Sequence, residues 1–260
     1  MADTLQELIK STARMSFYTI EKNNSCNELL RNIDEYQHGI VISVNKPYGW
    51  TSSDVVRKIK FRTQRFFGVR NIKVGHAGTL DPLATGVLII CLGKATKLAE
   101  MLQAQEKEYV AGITFGCTTP SFDLEKEIDA YYPYEHITID SIKSILPVFL
   151  GELDQIPPVF SAKLVNGNRS YELARAGVEK ELKPSRVTIY SLEAISYASP
   201  VLTLRIRCSK GTYIRSLARD LGIALESGAH LSDLVRTSSG GFSVENSVTI
   251  EDLENLMKIG

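Results

Sequence analysis

The residues best suited to chemistry lie in "VGHAGTLDPLATGVLIICLGKATK", Val74 to Lys97. His76 and Asp81 stand among Gly75, Gly78 and Gly86, and an apolar run follows them. Glycines admit backbone conformations and close approaches that side chains block. An aspartate in such a loop is open to a substrate. The competing reading is plain turn chemistry, because Asp bonds its own backbone and the following Pro82 fixes φ. A phosphate loop is excluded: Leu88 stands where G-x-x-x-x-G-K-[ST] needs its first glycine, and Ala95 follows Lys94.

Two further stretches carry chemistry-bearing residues. "RKIKFRTQRFFGVRNIK", Arg57 to Lys73, holds seven Lys or Arg, no acid and three phenylalanines. It reads either as a solvated helix face with core aromatics or as a cationic patch for a phosphate backbone. "CSKGTYIR", Cys208 to Arg215, joins a strand through a Lys-Gly turn to a helix start. Lys210, Arg215 and the backbone N–H groups there suit a phosphate or a carboxylate, and an ordinary strand-to-helix turn would look the same.

The elements that must position these residues are legible as patterns. "HGIVISVNKP" is an apolar strand ended by Lys46-Pro47, and "TSSDVVRKIKFRTQRFF" a serine-capped helix with Val55, Val56 and Ile59 at helical spacing. After the glycine loop, Val87–Leu92 is a strand and a helix is expected from Ala95. "KEYVAGITFG" alternates, putting Tyr109, Ala111, Ile113 and Phe115 on one face. "TIDSIKSILPVFLG" is a helix disturbed near Pro147. "QIPPVFSAKLVNGNRSYELARAGVE" suits an excursion from the main body. "VLTLRIRCSKG" alternates again, and "TYIRSLARDLGIALESG" is a helix with the stripe Ile214, Leu217, Leu221 and Leu225, closed by Gly228. Thr249 and Asp252 form a capping box for the last helix. Strands and helices mix without a βαβ rhythm, so the fold class is α+β.

Composition narrows the function classes. A chain of 260 residues with net charge zero buries a real core and holds any nucleic acid by a local patch only. Cys26, Cys91, Cys117 and Cys208 are scattered without CxxC spacing, which implies reduced thiols. His38, His76, His136 and His230 show no metal-ligand pairing, and neither GxGxxG after a strand nor GxSxG occurs. No signal-peptide core or membrane-length apolar run is present, so a cytoplasmic protein is expected. Residues 1 to 37 read as a partly mobile N-terminal extension.

In order along the chain, "GHAGTLDPLATGVL", "KEYVA", "SAKLVNGNRSYELARAG", "CSKGTYIRSLARDLG" and "GAHLSDLVRT" resemble the TruB family of bacterial tRNA pseudouridine-55 synthases, over roughly Gly39 to Thr237. The resemblance implies a pseudouridine-synthase fold, a central mixed, mostly antiparallel sheet flanked by helices and loops. It also implies a redox-neutral isomerisation of uridine to pseudouridine, with neither cofactor nor metal. Asp81 matches the catalytic aspartate, Arg215 the arginine that pairs with it, and Tyr109 the tyrosine stacked on the target base. Tyr213 and Leu234 match residues completing the base pocket, His76 the residue filling the gap in the RNA stack, and Asp123 an acid near the pocket. Lys210 is expected at the RNA with them. The segment at about 155–184 corresponds to a thumb-like loop whose Lys163, Asn168 and Arg169 would contact RNA.

On this reading residues 38–260 are the catalytic domain, with no PUA domain following, and the partner is the T-arm of tRNA. A monomer is expected, without membrane or obligate protein partner. A synthase acting on another RNA, or a tRNA-binding folding chaperone, is the alternative.

Overall fold

The computed structural model describes residues 17–23, 29–158, 164–165, 168–169 and 183–258. In chain order the strands and helices begin with β1 (Tyr18–Ile20), β2 (Ile40–Lys46), α1 (Ser52–Phe67), β3 (Val74–His76), β4 (Thr85–Leu92) and α2 (Ala99–Ala104). Then come β5 (Lys107–Phe115), β6 (Cys117–Thr118), β7 (Ala130–Tyr131), α3 (Ile139–Ile145), β8 (Gly151–Gln155), β9 (Leu164–Val165) and β10 (Asn168–Arg169). The rest are β11 (Ser185–Ala198), β12 (Val201–Cys208), α4 (Ile214–Ala224), β13 (Ala229–Ser239), β14 (Phe242–Ser243) and α5 (Ile250–Leu256). The mixture is α+β, as the patterns imply. Two compact units are formed, residues 1–105 with 236–260, and residues 106–235.

In the first unit β4 is the central strand, and every residue from Gly86 to Leu92 is buried. β2 pairs with it antiparallel along its length, and β3 pairs at its far end, His76 opposite Ile90. β1 adds to β2 in parallel, so the sheet starts inside the stretch read as an extension. A core of Val41, Ala77, Val87, Ile89, Cys91, Ala95 and Leu102 packs on this sheet. α1 buries Val55, Ile59, Phe66 and Phe67 and leaves Val56 half-buried. Its cap is Thr51, which exchanges bonds with Asp54, and not the serines: Ser52 is the first helical residue and is buried. The helix expected from Ala95 starts later, because Gly93–Leu98 is a tighter 3-10 turn that precedes α2. Ala95 there sits against Gly39, where a Cβ would lie 2.3 Å from the Ala95 nitrogen.

The second unit carries an antiparallel run in which β12 lies between β5 and β11, and β8 flanks β11. Tyr109, Ala111, Ile113 and Phe115 are buried together on β5, facing inward as the alternation requires. β11 shows no clean period in the sequence because register shifts between Ile189 and Ser191 and between Ala194 and Ser196 break it. α3 gives way at Leu146–Phe149 to a 3-10 turn holding Pro147. α4 buries Ile214, Leu217 and Leu221, and Leu225 is its C-cap. The left-handed residue that closes it is Glu226 (φ 53°), not Gly228. Gly228 instead permits close packing, since a Cβ there would lie 2.4 Å from the Tyr132 ring.

Gly86 opens β4 at φ 98°, and a Cβ on it would stand 2.2 Å from the Arg236 carbonyl oxygen. Both the torsion and the contact reject a side chain, and the contacting atoms are backbone. Gly86→Ala is therefore expected to destabilise the protein by at least about 2 kcal/mol, read as a lowered urea midpoint.

Candidate active site

The loop from Gly78 to Pro82 has no regular secondary structure, yet each of its carbonyls meets a donor. The Arg236 guanidinium donates to the oxygens of Gly78 (3.1 Å) and Thr79 (3.4 Å). Ser52 Oγ donates to Leu80 O and accepts from Leu80 N–H. Asp81 O accepts from Ala84 N–H, closing the Asp-Pro turn. Pro82 O accepts from Gly49 N–H (2.9 Å) and from Lys46 Nζ (3.2 Å). The turn reading of Asp81 is thus met by its backbone, and its half-buried side chain is carried by a fixed scaffold.

Lys46 ends β2 and is 0% exposed, so its ammonium must be satisfied internally. It donates to Pro47 O (3.0 Å) and Trp50 O (2.6 Å) as well as Pro82 O. Burial lowers its pKa to about 8; the Asp81 charge opposes that shift and the Arg236 charge adds to it. The sequence pattern marks Lys46 only as a strand end. Its partners lie up to 36 positions away, beyond any local pattern.

The second unit gathers a different set. Arg215, the second residue of α4, is 4% exposed and lies 3.4 Å from the Asp123 carboxylate, itself 3% exposed. Arg215 also donates to Ser121 O at 3.2 Å. Asp123 is delivered by a strained turn in which Phe122 takes φ 61°, a conformation costing a bulky residue about 1–2 kcal/mol. Hydroxyls of Thr119 and Ser121 donate to Asp123 O, and the Phe122 ring packs under the Arg219 guanidinium at 4.9 Å. Tyr213 is the N-cap of α4, and Gln155 grips its backbone from both sides, accepting from N–H (2.8 Å) and donating to O (3.0 Å). Tyr109 on β5 and Leu234 on β13 are buried, and Lys210 is exposed in the turn before α4. Gln155, Ser121 and Phe122 carry no sequence signal for these roles.

His76 lies on β3 of the first unit, half-buried. Lys163 lies outside the described residues, and Arg169 and Asn168 are described only as the backbone of β10, paired with β9. The Arg57–Lys73 stretch divides between its two readings. Phe66 and Phe67 are core, whereas Phe61 is exposed. Arg57 pairs with Asp54, and Lys58 and Arg62 both reach Glu254 of α5, at 2.7 and 2.6 Å. Lys60, Arg65, Arg70 and Lys73 are exposed, with Arg65 over the Phe61 ring. Among the described residues no group of three His, Cys, Asp or Glu could hold a metal, and no helix is long and apolar enough to cross a membrane. Cys91, Cys117 and Cys208 are free thiols.

Lys46 makes stability depend on pH. Folded, its pKa is about 8; unfolded, it is the ordinary 10.5. Between these values the unfolded chain holds the proton more firmly, so this group makes stability rise with pH across that window and adds no slope below about pH 8. Urea unfolding of wild type and Lys46→Met is expected to show the wild type gaining on the variant between about pH 7.5 and about pH 10. An unchanged difference would mean that Lys46 keeps its proton throughout.

Residues 64–214 match the family described as TruB family pseudouridylate synthase (N terminal domain). Residues 215–259 match the tRNA pseudouridylate synthase B C-terminal domain. The tRNA pseudouridine synthase B of Phocaeicola vulgatus is 54% identical over 216 residues, 83% of this chain and 92% of that one. That of Flavobacterium johnsoniae is 47% identical, covering 86% of this chain and 99% of its own. Among solved structures, a crystal structure of a Cbf5-Nop10-Gar1 complex aligns with a TM-score of 0.64 at 32% identity, over 84% of this chain and 54% of that one. The α+β units described above are therefore those of the pseudouridine synthase fold, and the chain belongs to the TruB family of pseudouridylate synthases.

Proposed function

We propose that this chain is a tRNA pseudouridine synthase that converts the uridine at position 55, in the T-loop, to pseudouridine. The reading rests on one observation above the rest: within a TruB-family chain, Asp81 is carried by a loop whose carbonyls are all held. In the reaction the N1–C1′ bond breaks, the freed base turns while held, and a C5–C1′ bond forms. The C5 proton then leaves and N1 gains one, so nothing is oxidised or reduced. Asp81 acts either as nucleophile at the sugar or as base at C2′ through a glycal.

The other residues take their roles from the family motifs. Arg215 is the cation that keeps the Asp81 carboxylate ionised once water is excluded, and Asp123 holds Arg215 against its own burial. Tyr109 stacks on the base, and Tyr213 and Leu234 bound it. His76 replaces the extruded base in the RNA stack, an extrusion that costs a few kcal/mol. Lys210, Lys163 and Arg169 meet phosphates or sugars. Residues 38–260 would form the catalytic domain, with a thumb at about 155–184 and residues 1–37 as an extension. The enzyme would act in the cytoplasm as a monomer on the T-arm.

Chemical mapping of pseudouridine in tRNA from cells lacking this gene tests the reading. Wild type is expected to restore the modification and Asp81→Asn to leave it absent, a loss on the order of 10³-fold or more in rate. Full restoration by Asp81→Asn would remove Asp81 from the chemistry. Restored growth without the modification would favour the chaperone alternative.

The exposed cations of α1 and the loop after it give a second measurement. Lys60→Gln with Lys73→Gln is expected to weaken tRNA binding and flatten the log K against log salt slope by roughly 1–2. Arg57→Gln, whose charge Asp54 already answers, is expected to change the slope less.

A further inference from the structure

Arg236 is 1% exposed, one of the largest fully buried side chains among the described residues. Among the described residues it forms no salt bridge with a carboxylate, and its guanidinium donates to backbone carbonyls. Nε donates to Val87 O at 2.7 Å, Nη2 to Gly78 O at 3.1 Å and Nη1 to Thr79 O at a longer 3.4 Å. Val87 follows the Asp81 turn and Gly78 and Thr79 precede it. One rigid fork therefore ties together both stems of the loop that carries Asp81.

The choice of residue matters here. A guanidinium presents its donors in a fixed plane, so it sets the spacing between the acceptors it bridges. An ammonium can reach several carbonyls but has no fixed plane, so it would not set the register of one stem against the other as firmly. The backbone on each side agrees with this demand. Gly78 takes φ 97° with Arg236 Nη1 3.6 Å from the position of a Cβ, and Gly86 lets the Arg236 backbone approach to within the space of a methyl group. Burying a full charge this way is costly, and a protein gains from it only where geometry is worth the cost.

We infer that Arg236 is a positioning residue for Asp81: its guanidinium bridges the stems of the Gly78–Val87 loop and holds the carboxylate at its working place. The inference rests on the proposed role of Asp81 in uridine isomerisation. It adds to that role a residue that touches neither substrate nor reacting atoms.

The test is Arg236→Lys, which keeps the charge and the aliphatic stem but lacks the fork. Single-turnover pseudouridine formation is expected to fall on the order of 10- to 100-fold, the usual cost of misplacing a reacting group by about 1 Å. Binding of tRNA is expected to stay within about two-fold, so that the loss lies in kcat and not in KM. Amides of Leu80 and Ala84 are expected to exchange faster in the variant, while those of Ile89 and Ile90 in β4 do not. A rate equal to wild type, or a loss accounted for by the unfolded fraction alone, would overturn the inference. So would a loss that lies wholly in tRNA affinity.

Should the variant fail to fold, the wild-type protein still decides. The Arg236 Nε–H is expected to give a separate, slowly exchanging proton resonance, and one averaged with solvent would overturn the clamp. Failure of the proposed function looks different: wild type would then form no pseudouridine in tRNA, while the Nε–H and amide measurements would stand unchanged.

Discussion

A carboxylate proposed to act on a sugar, as Asp81 is, needs to be exposed and immobile together, and these demands conflict in a loop. Exposed loops lack the ladders that hold strands and helices, and their carbonyls ordinarily turn to water. In the Asp81 loop the conflict is resolved by supplying donors from the interior. Two fully buried cations, Lys46 and Arg236, and the buried hydroxyl of Ser52 take up carbonyls on both sides of the aspartate. The loop is thereby fastened from below while its side chain remains half-buried. Much of the first unit follows from this arrangement. β2 must end where Lys46 can reach Pro82, α1 must begin where Ser52 can reach Leu80, and β4 must open on a glycine so that Arg236 can pass close.

The second unit meets a related demand with different means. Arg215 is buried as deeply, but its charge is balanced by a carboxylate, Asp123. A fully buried ion pair is costly to desolvate, and breaking it by removing one partner is costlier still. The strained Phe122 turn and the hydroxyls that hold Asp123 O are the structural cost of keeping that pair in register. In both units a charged group is held by groups far from it in sequence, by backbone in the first and by a carboxylate together with the Ser121 carbonyl in the second.

Local patterns were reliable wherever the deciding interactions were local. The period-2 alternation of β5 and β12, the 3.6-period stripe of α4 and the Thr249–Asp252 box all involve neighbours within a few positions. The failures share a cause as well. The serines before α1 look like caps, but Thr51 takes that place because Ser52 is drawn into the core by Leu80, 28 positions on. Gly228 looks like a helix stop, but it is reserved for contact with Tyr132, and Glu226 turns the chain instead. β11 is hidden by bulges that only its partners β12 and β8 make sense of.

The same division runs through the site. The amino-acid sequence alone marked candidates for chemistry, each beside a purely structural reading: an aspartate among glycines, an arginine at a helix start, a tyrosine on an alternating strand. The family motifs named all three. Those are matters of residue type and short spacing, which the chain carries wherever it folds. Only the tertiary structure decided what holds them. Lys46 and Arg236 are unremarkable as letters, and they become cations bound to carbonyls because folding brings Pro82, Gly78 and Val87 to them from 36 to 158 positions away. A buried charge has to be answered by whatever groups are near it in space, and nearness in space is set by the whole fold and not by any window of sequence.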